Sequence, residues 1–189
     1  YYLFVTFDGT GTNSPLTEPS PDTPEVYGFG LNAPGTVWIN EFNASTDGFF
    51  PPDTNEFIEI AGLAGSDLTD WKLEIVDSST NIYATYIFTN TLILANDHGG
   101  FGFHVIGDTG VNNVDLPFTH LPSGESHLNP IGGFRLLNEL GQEACALSYG
   151  TNLPGFVNVG TETNGGFTDY TLALSGSGDT VDDFTWALN

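Results

Sequence analysis

Positively charged side chains are almost absent from this chain. Lysine and arginine together number 2, against 24 aspartates and glutamates, which gives a formal net charge of -22. A nucleic-acid-binding surface needs clustered Lys and Arg to neutralise phosphates, so this composition excludes that class of partner. The same field repels anionic membrane surfaces, whereas it attracts divalent cations.

Long apolar runs, methionine and paired cysteines are also missing. No segment approaches the roughly 20 apolar residues that span a bilayer, so no membrane-spanning segment is expected. Cys145 is the only cysteine and cannot form an intrachain disulfide; we predict a small buried residue within a strand. Because no basic leader precedes the first apolar segment and Met is absent, we expect a leader to have been removed from a secreted, extracellular or cell-surface protein.

The residues that are plentiful indicate a folded β protein. Aromatic residues make up 13% of the chain and glycines number 24, whereas charged residues make up only 14%. No apolar helical periodicity persists, so we predict an all-β, immunoglobulin-like antiparallel β-sandwich. Its strands are predicted at 37–43, 55–61, 68–77, 81–88, 91–95, 100–107, 132–138, 143–149, 170–175 and 181–188.

Two local patterns specify how strands are arranged. The segment 132–149 reads as a β-hairpin in which Gly141 supplies a positive φ. Strict alternation over 71–76 predicts one inward and one solvent-facing set of side chains, which are Trp71, Leu73 and Ile75 against Lys72, Glu74 and Val76.

The beginning of the chain predicts an extended strand arm on a tether. Residues 1–12 hold an aromatic strand and a turn, 13–35 form a Pro- and acid-rich linker, and 36–189 form the sandwich. At roughly 3.1 Å per residue the linker reaches up to about 60 Å, more than a fold-back requires. We therefore expect strand donation to a neighbouring copy and a homo-oligomer or homopolymer, although pairing within the same chain stays open. The assembly residues are Tyr1, Tyr2, Leu3, Phe4, Val5 and Phe7.

Three segments together resemble the lamin tail domain family. They are VWINEF (37–42), NEFIEIAG (55–62) and LTDWKLEIVD (68–77), and the resemblance covers about residues 36–150. It implies an immunoglobulin-like sandwich that serves as an interaction or targeting module without catalysis of its own. In this resemblance Glu41, Glu59 and Trp71 are structural signature residues. No coiled-coil rod or basic localisation segment is present, so a nuclear role is not implied.

The carboxylates of Glu41 and Glu59 could form an acid–base pair on neighbouring strands. The alternative, which we favour, is a structural role in which both accept hydrogen bonds from loop backbone. With no nucleophile motif elsewhere, we expect no catalytic residue and no enzyme.

Calcium is the metal that the acidic loops favour, because hard oxygen ligands are plentiful in them. The candidate ligands are Asp47, Asp53 and Asp108, with Asp115 as an alternative. Ordinary solvated turns require the same residues and are the interpretation that we favour. A zinc site would have to be assembled from distant strands, because no metal-binding spacing relates His98, His104, His120 and His127.

Two functions follow as hypotheses. The first is a non-enzymatic secreted structural protein that self-assembles into filaments or surface layers by donating its N-terminal strand. The alternative is a calcium-dependent carbohydrate-binding or adhesion module of a larger secreted protein, with Phe49 and Phe50 at a glycan-contacting loop tip.

Overall fold

Two β-sheets contain the regular structure of the residues that the structure describes. The computed structural model describes residues 36–44, 55–121, 127–161, 171–176 and 183–189. The strands are β1 Val37–Asn43, β2 Phe57–Leu63, β3 Lys72–Asp77, β4 Ile82–Ile87, β5 Phe101–Gly107, β6 Leu116–Pro117, β7 Gly132–Leu137, β8 Glu143–Tyr149, β9 Val157–Asn158, β10 Leu172–Gly176 and β11 Phe184–Leu188. The predicted arm and linker, 1–12 and 13–35, lie outside the described residues. Within the described ranges, no helix has the length and apolar character needed to cross a membrane.

The strand order confirms an all-β sandwich. One sheet has the order β11-β10-β1-β2-β5-β6 and the other β4-β3-β7-β8-β9. Neighbouring strands are antiparallel except β5 with β6 and β8 with β9. These two parallel partners, β6 and β9, are two residues long and were not predicted, since such short segments show no alternation of apolar and polar residues.

The core lies between the two sheets. Phe42 on β1 meets Phe134 on β7 and Tyr149 on β8, with ring centroids 5.0 and 4.9 Å apart. Trp71 and Leu73 are also fully buried in this core. Each such large side chain contributes roughly 1.5–3 kcal/mol when it leaves water, so these contacts between sheets dominate the stability of the sandwich.

The prediction of a strand at 91–95 is wrong. This segment forms one isolated bridge, between Asp67 and Ile93, beside the irregular segment that precedes β3. Leu68 donates its N–H to the carbonyl of Leu92 at 2.7 Å, and Leu94 donates to Ser66 at 2.9 Å. The apolar pattern arises because Leu94 is buried against the core, although its backbone has no long partner strand.

The expected alternation on β3 fails at its end. Trp71, Leu73 and Ile75 are buried as predicted, but Val76 is buried as well. The pairing of β3 with β4 shifts register between Ile75 and Val76. The shift skips Tyr83 on β4, whereas β3 pairs with β7 in unbroken register, so Val76 still faces away from Ile75. Val76 is buried outside the core between the sheets, and the prediction that it faces solvent is wrong.

The hairpin predicted at 132–149 is confirmed. Strands β7 and β8 pair antiparallel, and Gly141 in their turn has a φ of 76°. The turn is closed by Asn138, whose N–H donates to the carbonyl of Gln142 at 2.8 Å. The Asn138 Oδ1 also accepts the N–H groups of Leu140 and Gln142, so one side chain organises the whole connection.

Candidate functional site

Strand β4 lies at an edge of the second sheet. It pairs with β3 on one side, and none of the described strands pairs with its other side. An edge of this kind presents backbone donors and acceptors to any extended segment that reaches it. At roughly 3.3 Å per residue, the edge is about 20 Å long.

The chemistry of this edge differs from that of a protected one. Residues 78–96, which include all of β4, contain no charged side chain. Ile82 and Ile87 are 49% and 47% exposed. Natural proteins usually protect open edges with charges, proline or bulges, because uncharged apolar edges attract further strands. Strand β4 has one bulge, at Tyr83, but no charged residue and no proline. The β4 edge is therefore suited to accept a further strand.

The two shortest edges, β6 and β9, are less suited to this role. Strands β6 and β9 end their sheets with two residues each. Strand β11 is a longer edge, and its Leu188 is 42% exposed. Because β11 has five residues and β4 has six, the β11 edge can serve as a control of similar length for the β4 edge.

A second candidate site lies at one end of the sandwich and contains Glu56, Asp108 and His127. The ends of two paired strands position the first two residues. The ladder between β2 and β5 continues one step past Gly107, where the Asp108 N–H donates to the Glu56 carbonyl at 2.9 Å. The Asp108 Oδ2 in turn accepts the N–H of Glu56 at 3.1 Å. His127 enters from the connection between β6 and β7.

The three side chains are close together and buried. The Nδ1 of His127 lies 3.0 Å from Oδ1 of Asp108 and 3.9 Å from Oε2 of Glu56. The exposed fractions are 0% for Glu56, 3% for His127 and 9% for Asp108. The Glu56 Oε2 also accepts the backbone N–H of His127 and, at 3.1 Å, that of Leu128. Through these two hydrogen bonds, Glu56 holds the connection that contains His127 against the end of the first sheet.

Tyr86 supports this connection from the other sheet, and it does so through His120, which lies in the connection itself. The Tyr86 hydroxyl accepts the N–H of Thr119 at 3.0 Å and lies 2.7 Å from Nδ1 of His120. The His120 Nε2 lies 2.8 Å from the carbonyl oxygen of His127. A carbonyl only accepts, so His120 carries its proton on Nε2 and takes the Tyr86 proton at Nδ1. Burial lowers the pKa of His120 and raises that of Tyr86, which keeps both groups neutral.

Glu41 and Glu59 lie in an acidic groove of about 440 Å³ on the first sheet. Thr171 Oγ1 donates to Glu41 at 2.5 Å, and Asn40 Nδ2 donates to Glu59 at 2.8 Å. The described hydrogen-bond donors to Glu41 and Glu59 are therefore side chains. The hydrogen bonds from loop backbone that were predicted for these two residues are accepted instead by Glu56. The rest of the lining is Phe57, Asp97, Phe103, Val105, Val111, Asn112, Asn113 and Asp115.

The candidate calcium ligands do not form one described cluster. Asp108 belongs to the group with Glu56 and His127. Asp115 instead lies 3.5 Å from His104 and accepts the N–H of Val105 at 2.8 Å. Outside the described residues lie Asp47, Asp53, Phe49 and Phe50. The signature residue Trp71 is fully buried, as its position in the core requires.

Cys145 on β8 is partly buried rather than fully enclosed. It lines an apolar groove together with Trp38, Phe184 and Trp186. Burial raises the pKa of its thiol to about 12, so the thiol stays protonated and poorly nucleophilic. This agrees with a packing role for Cys145.

Sequence reasoning considered His127 for a zinc site without selecting it, and it did not single out Glu56. One signal was available for Glu56, because it immediately precedes β2 and Asp108 immediately follows the neighbouring antiparallel strand β5. Such positions meet at the same end of a sheet. No comparable signal existed for His127, whose connection between β6 and β7 has no regular periodicity.

No protein-family model matches the chain, and no curated protein matches its sequence.

Proposed function

We propose that this chain is a secreted, non-enzymatic structural protein that assembles by strand addition. The segment 1–7 of one copy pairs with the open edge of β4 in the next. The observation that carries this proposal is the uncharged edge itself, with its exposed Ile82 and Ile87. The role agrees with the interaction modules that the lamin tail resemblance implies.

The donated segment matches the edge in length and chemistry. Residues 1–7 contain no charged side chain, and β4 has six residues. Main-chain hydrogen bonds to β4 would supply affinity, and alternate side chains would supply register. An arm rich in aromatic residues gains most by covering isoleucines that otherwise face water, at roughly 25 cal/mol per Å² of apolar area.

Electrostatics favours this contact over others. Two copies that each carry a formal charge of -22 repel one another at low ionic strength. A contact built from uncharged segments avoids placing acids against acids, and added salt screens the remaining repulsion. Assembly should therefore increase with salt concentration, unlike an association driven by opposite charges.

Two full-length variants test the proposal. Ile87→Lys blocks the accepting edge and leaves the arm intact, whereas Phe4→Asp blocks the arm and leaves the edge intact. By sedimentation and negative-stain microscopy, each variant alone should stay monomeric, and an equimolar mixture should form one-to-one dimers. Leu188→Lys makes the same change on the β11 edge and should assemble like the unmodified chain.

Other results would contradict the proposal in specific ways. Assembly of the Ile87→Lys variant would remove β4 as the acceptor. Loss of assembly in Leu188→Lys alone would move the contact to β11. Monomers of the unmodified chain at every salt concentration would favour an arm that pairs within its own molecule.

The acidic groove favours a second candidate function, the binding of a glycan. Half-buried Phe57 and Phe103 lie there beside Asn112 and Asn113. Rings next to amide and carboxylate groups suit sugars, which offer an apolar face and many hydroxyls. Calorimetry against a glycan panel, with and without calcium, tests this function. Heat that disappears in Phe103→Ala would support it, and no heat with any glycan would remove it.

A further inference from the structure

We propose that Glu56, Asp108 and His127 bind a divalent transition-metal ion, for which zinc is the best match. The site joins the ends of β2 and β5 to the connection before β7. This inference is independent of strand addition, because none of the three residues lies on β4 or in the arm.

The position of the proton on His127 is the first argument. Its Nε2 lies 3.3 Å from the carbonyl oxygen of Leu121. Since a carbonyl only accepts hydrogen bonds, the Nε2 carries a proton. In the neutral ring the Nδ1 then presents a lone pair toward the carboxylates of Asp108 and Glu56. Lone pairs and anionic oxygens repel, so this arrangement favours a positive centre between them, either a second proton on the ring or a metal ion.

The geometry at Nδ1 is the second argument. Although Asp108 Oδ1 is 3.0 Å away, the buried His127 Nδ1 makes no hydrogen bond of acceptable angle. A proton on Nδ1 would therefore be poorly directed toward its nearest acceptor. A metal ion at the centre of the three ligand atoms avoids this mismatch, because each ligand then points at the ion and not at another ligand.

Charge balance is the third argument. The whole chain has two Lys and Arg residues, Lys72 and Arg135. Arg135 contacts Glu74 and Glu143, each at 3.3 Å. Lys72 lies on β3 in the other sheet, between partners on β4 and β7. A cation bound between Glu56 and Asp108 would supply the charge that buried carboxylates need.

Ligand chemistry selects the kind of ion. Tetrahedral zinc with bonds of about 2.0–2.1 Å places its ligands roughly 3.3 Å apart. The observed separations of 3.0 and 3.9 Å from Nδ1 lie on either side of this value, and all three ligand atoms are within 4.8 Å. An imidazole nitrogen with carboxylate oxygens suits zinc, whereas calcium prefers oxygen ligands alone. The contact from His127 Nε2 to Leu121 is the outer hydrogen bond that usually orients a metal-binding histidine.

Calorimetric titration of the full chain with zinc chloride and with calcium chloride tests the site. We expect one zinc per chain and no competition from calcium. His127→Gln should weaken zinc binding by about 100-fold or more, since even loss of an outer contact costs 10- to 100-fold. His98→Gln removes an exposed imidazole outside the cluster and serves as the matched control, which should bind zinc like the unmodified chain.

The X-ray absorption spectrum of the zinc-loaded unmodified chain decides the matter even if His127→Gln fails to fold. We expect a first shell of oxygen and nitrogen with an imidazole contribution. Absence of zinc binding, a shell without imidazole, or affinity that falls in His98→Gln but not in His127→Gln would each overturn the proposal.

Discussion

Glu41 lies directly opposite Glu59 across the pair of strands β1 and β2. Burial raises the pKa of Glu59, and the charges of Glu41 and Asp115 raise it further. The hydrogen bond from Asn40 opposes this shift but does not cancel it. Two like charges on facing positions of a sheet are destabilising, so this groove lowers the stability of the fold near neutral pH.

Replacing Glu59 with Gln should raise the free energy of unfolding at pH 7. The pKa of Glu59 in the folded state lies above the ordinary value of 4.5. The wild type therefore loses stability as the pH rises from 4.5 through the folded-state pKa. Gln keeps an oxygen for the Asn40 amide and carries no charge. We expect a gain of up to roughly 1 kcal/mol, limited by solvent screening. In urea unfolding, the advantage should vanish below pH 4.5; an equal advantage at both pH values would contradict this explanation.

Acid should destabilise the protein through His104. Burial lowers its pKa below 6.5, although the charge of Asp115 opposes the shift. Between that lowered value and 6.5 the unfolded chain binds more protons, so the free energy of unfolding decreases as the pH falls. The variant His104→Gln should show a smaller slope between pH 6.5 and 5 in urea titrations. Parallel curves for both proteins would argue against His104 as the source.

Tyr86→Phe should destabilise the connection that carries His127. The change leaves the Thr119 N–H and the His120 Nδ1 without their partner, at a cost of about 1–3 kcal/mol. Tyr83→Phe is the control, because its hydroxyl accepts one N–H, from exposed Asn129. We expect the control to lose less stability in chemical unfolding, and equal losses would show that the network around His120 adds nothing.

Gly141→Ala should cost about 1 kcal/mol, because its φ of 76° is strained for alanine while no atom lies within 4 Å of the added Cβ. Gly150→Ala should cost more. Its φ of 73° carries the same strain, and the Cβ would also meet Ile131 and the Pro130 carbonyl at 3.0 and 3.1 Å. Thermal unfolding of both variants measures the difference, and a reversed order would contradict this account of the two turns.

Alternation of apolar and polar residues was sufficient to predict most of the long strands. It failed in 91–95, where Leu94 is buried in the core but the segment forms one isolated bridge instead of a strand. It failed also at Val76, which is buried although it lies on the opposite face of β3 from the core residues Leu73 and Ile75. Burial of this kind depends on the tertiary contacts of a segment, which the alternation of apolar and polar residues within the segment does not report.

Prediction of the candidate sites from sequence was limited in the same way. Asp108 was identified from the acidic loop that contains it, but its described neighbours are Glu56 and His127 rather than further aspartates. His127 lies far from Glu56 in sequence, and an irregular connection brings them together. The open edge of β4 was not predicted either, because strand order determines which strand lies at an edge.

The position of β4 gives the proposed assembly a direction. Each copy offers one arm and one accepting edge, so every molecule in a string is oriented in the same sense. One terminal molecule then has a vacant β4 and the opposite one an unused arm. Such a polymer is polar: its two ends are chemically distinct, they elongate at different rates, and a cap that fits one end leaves the other free to grow.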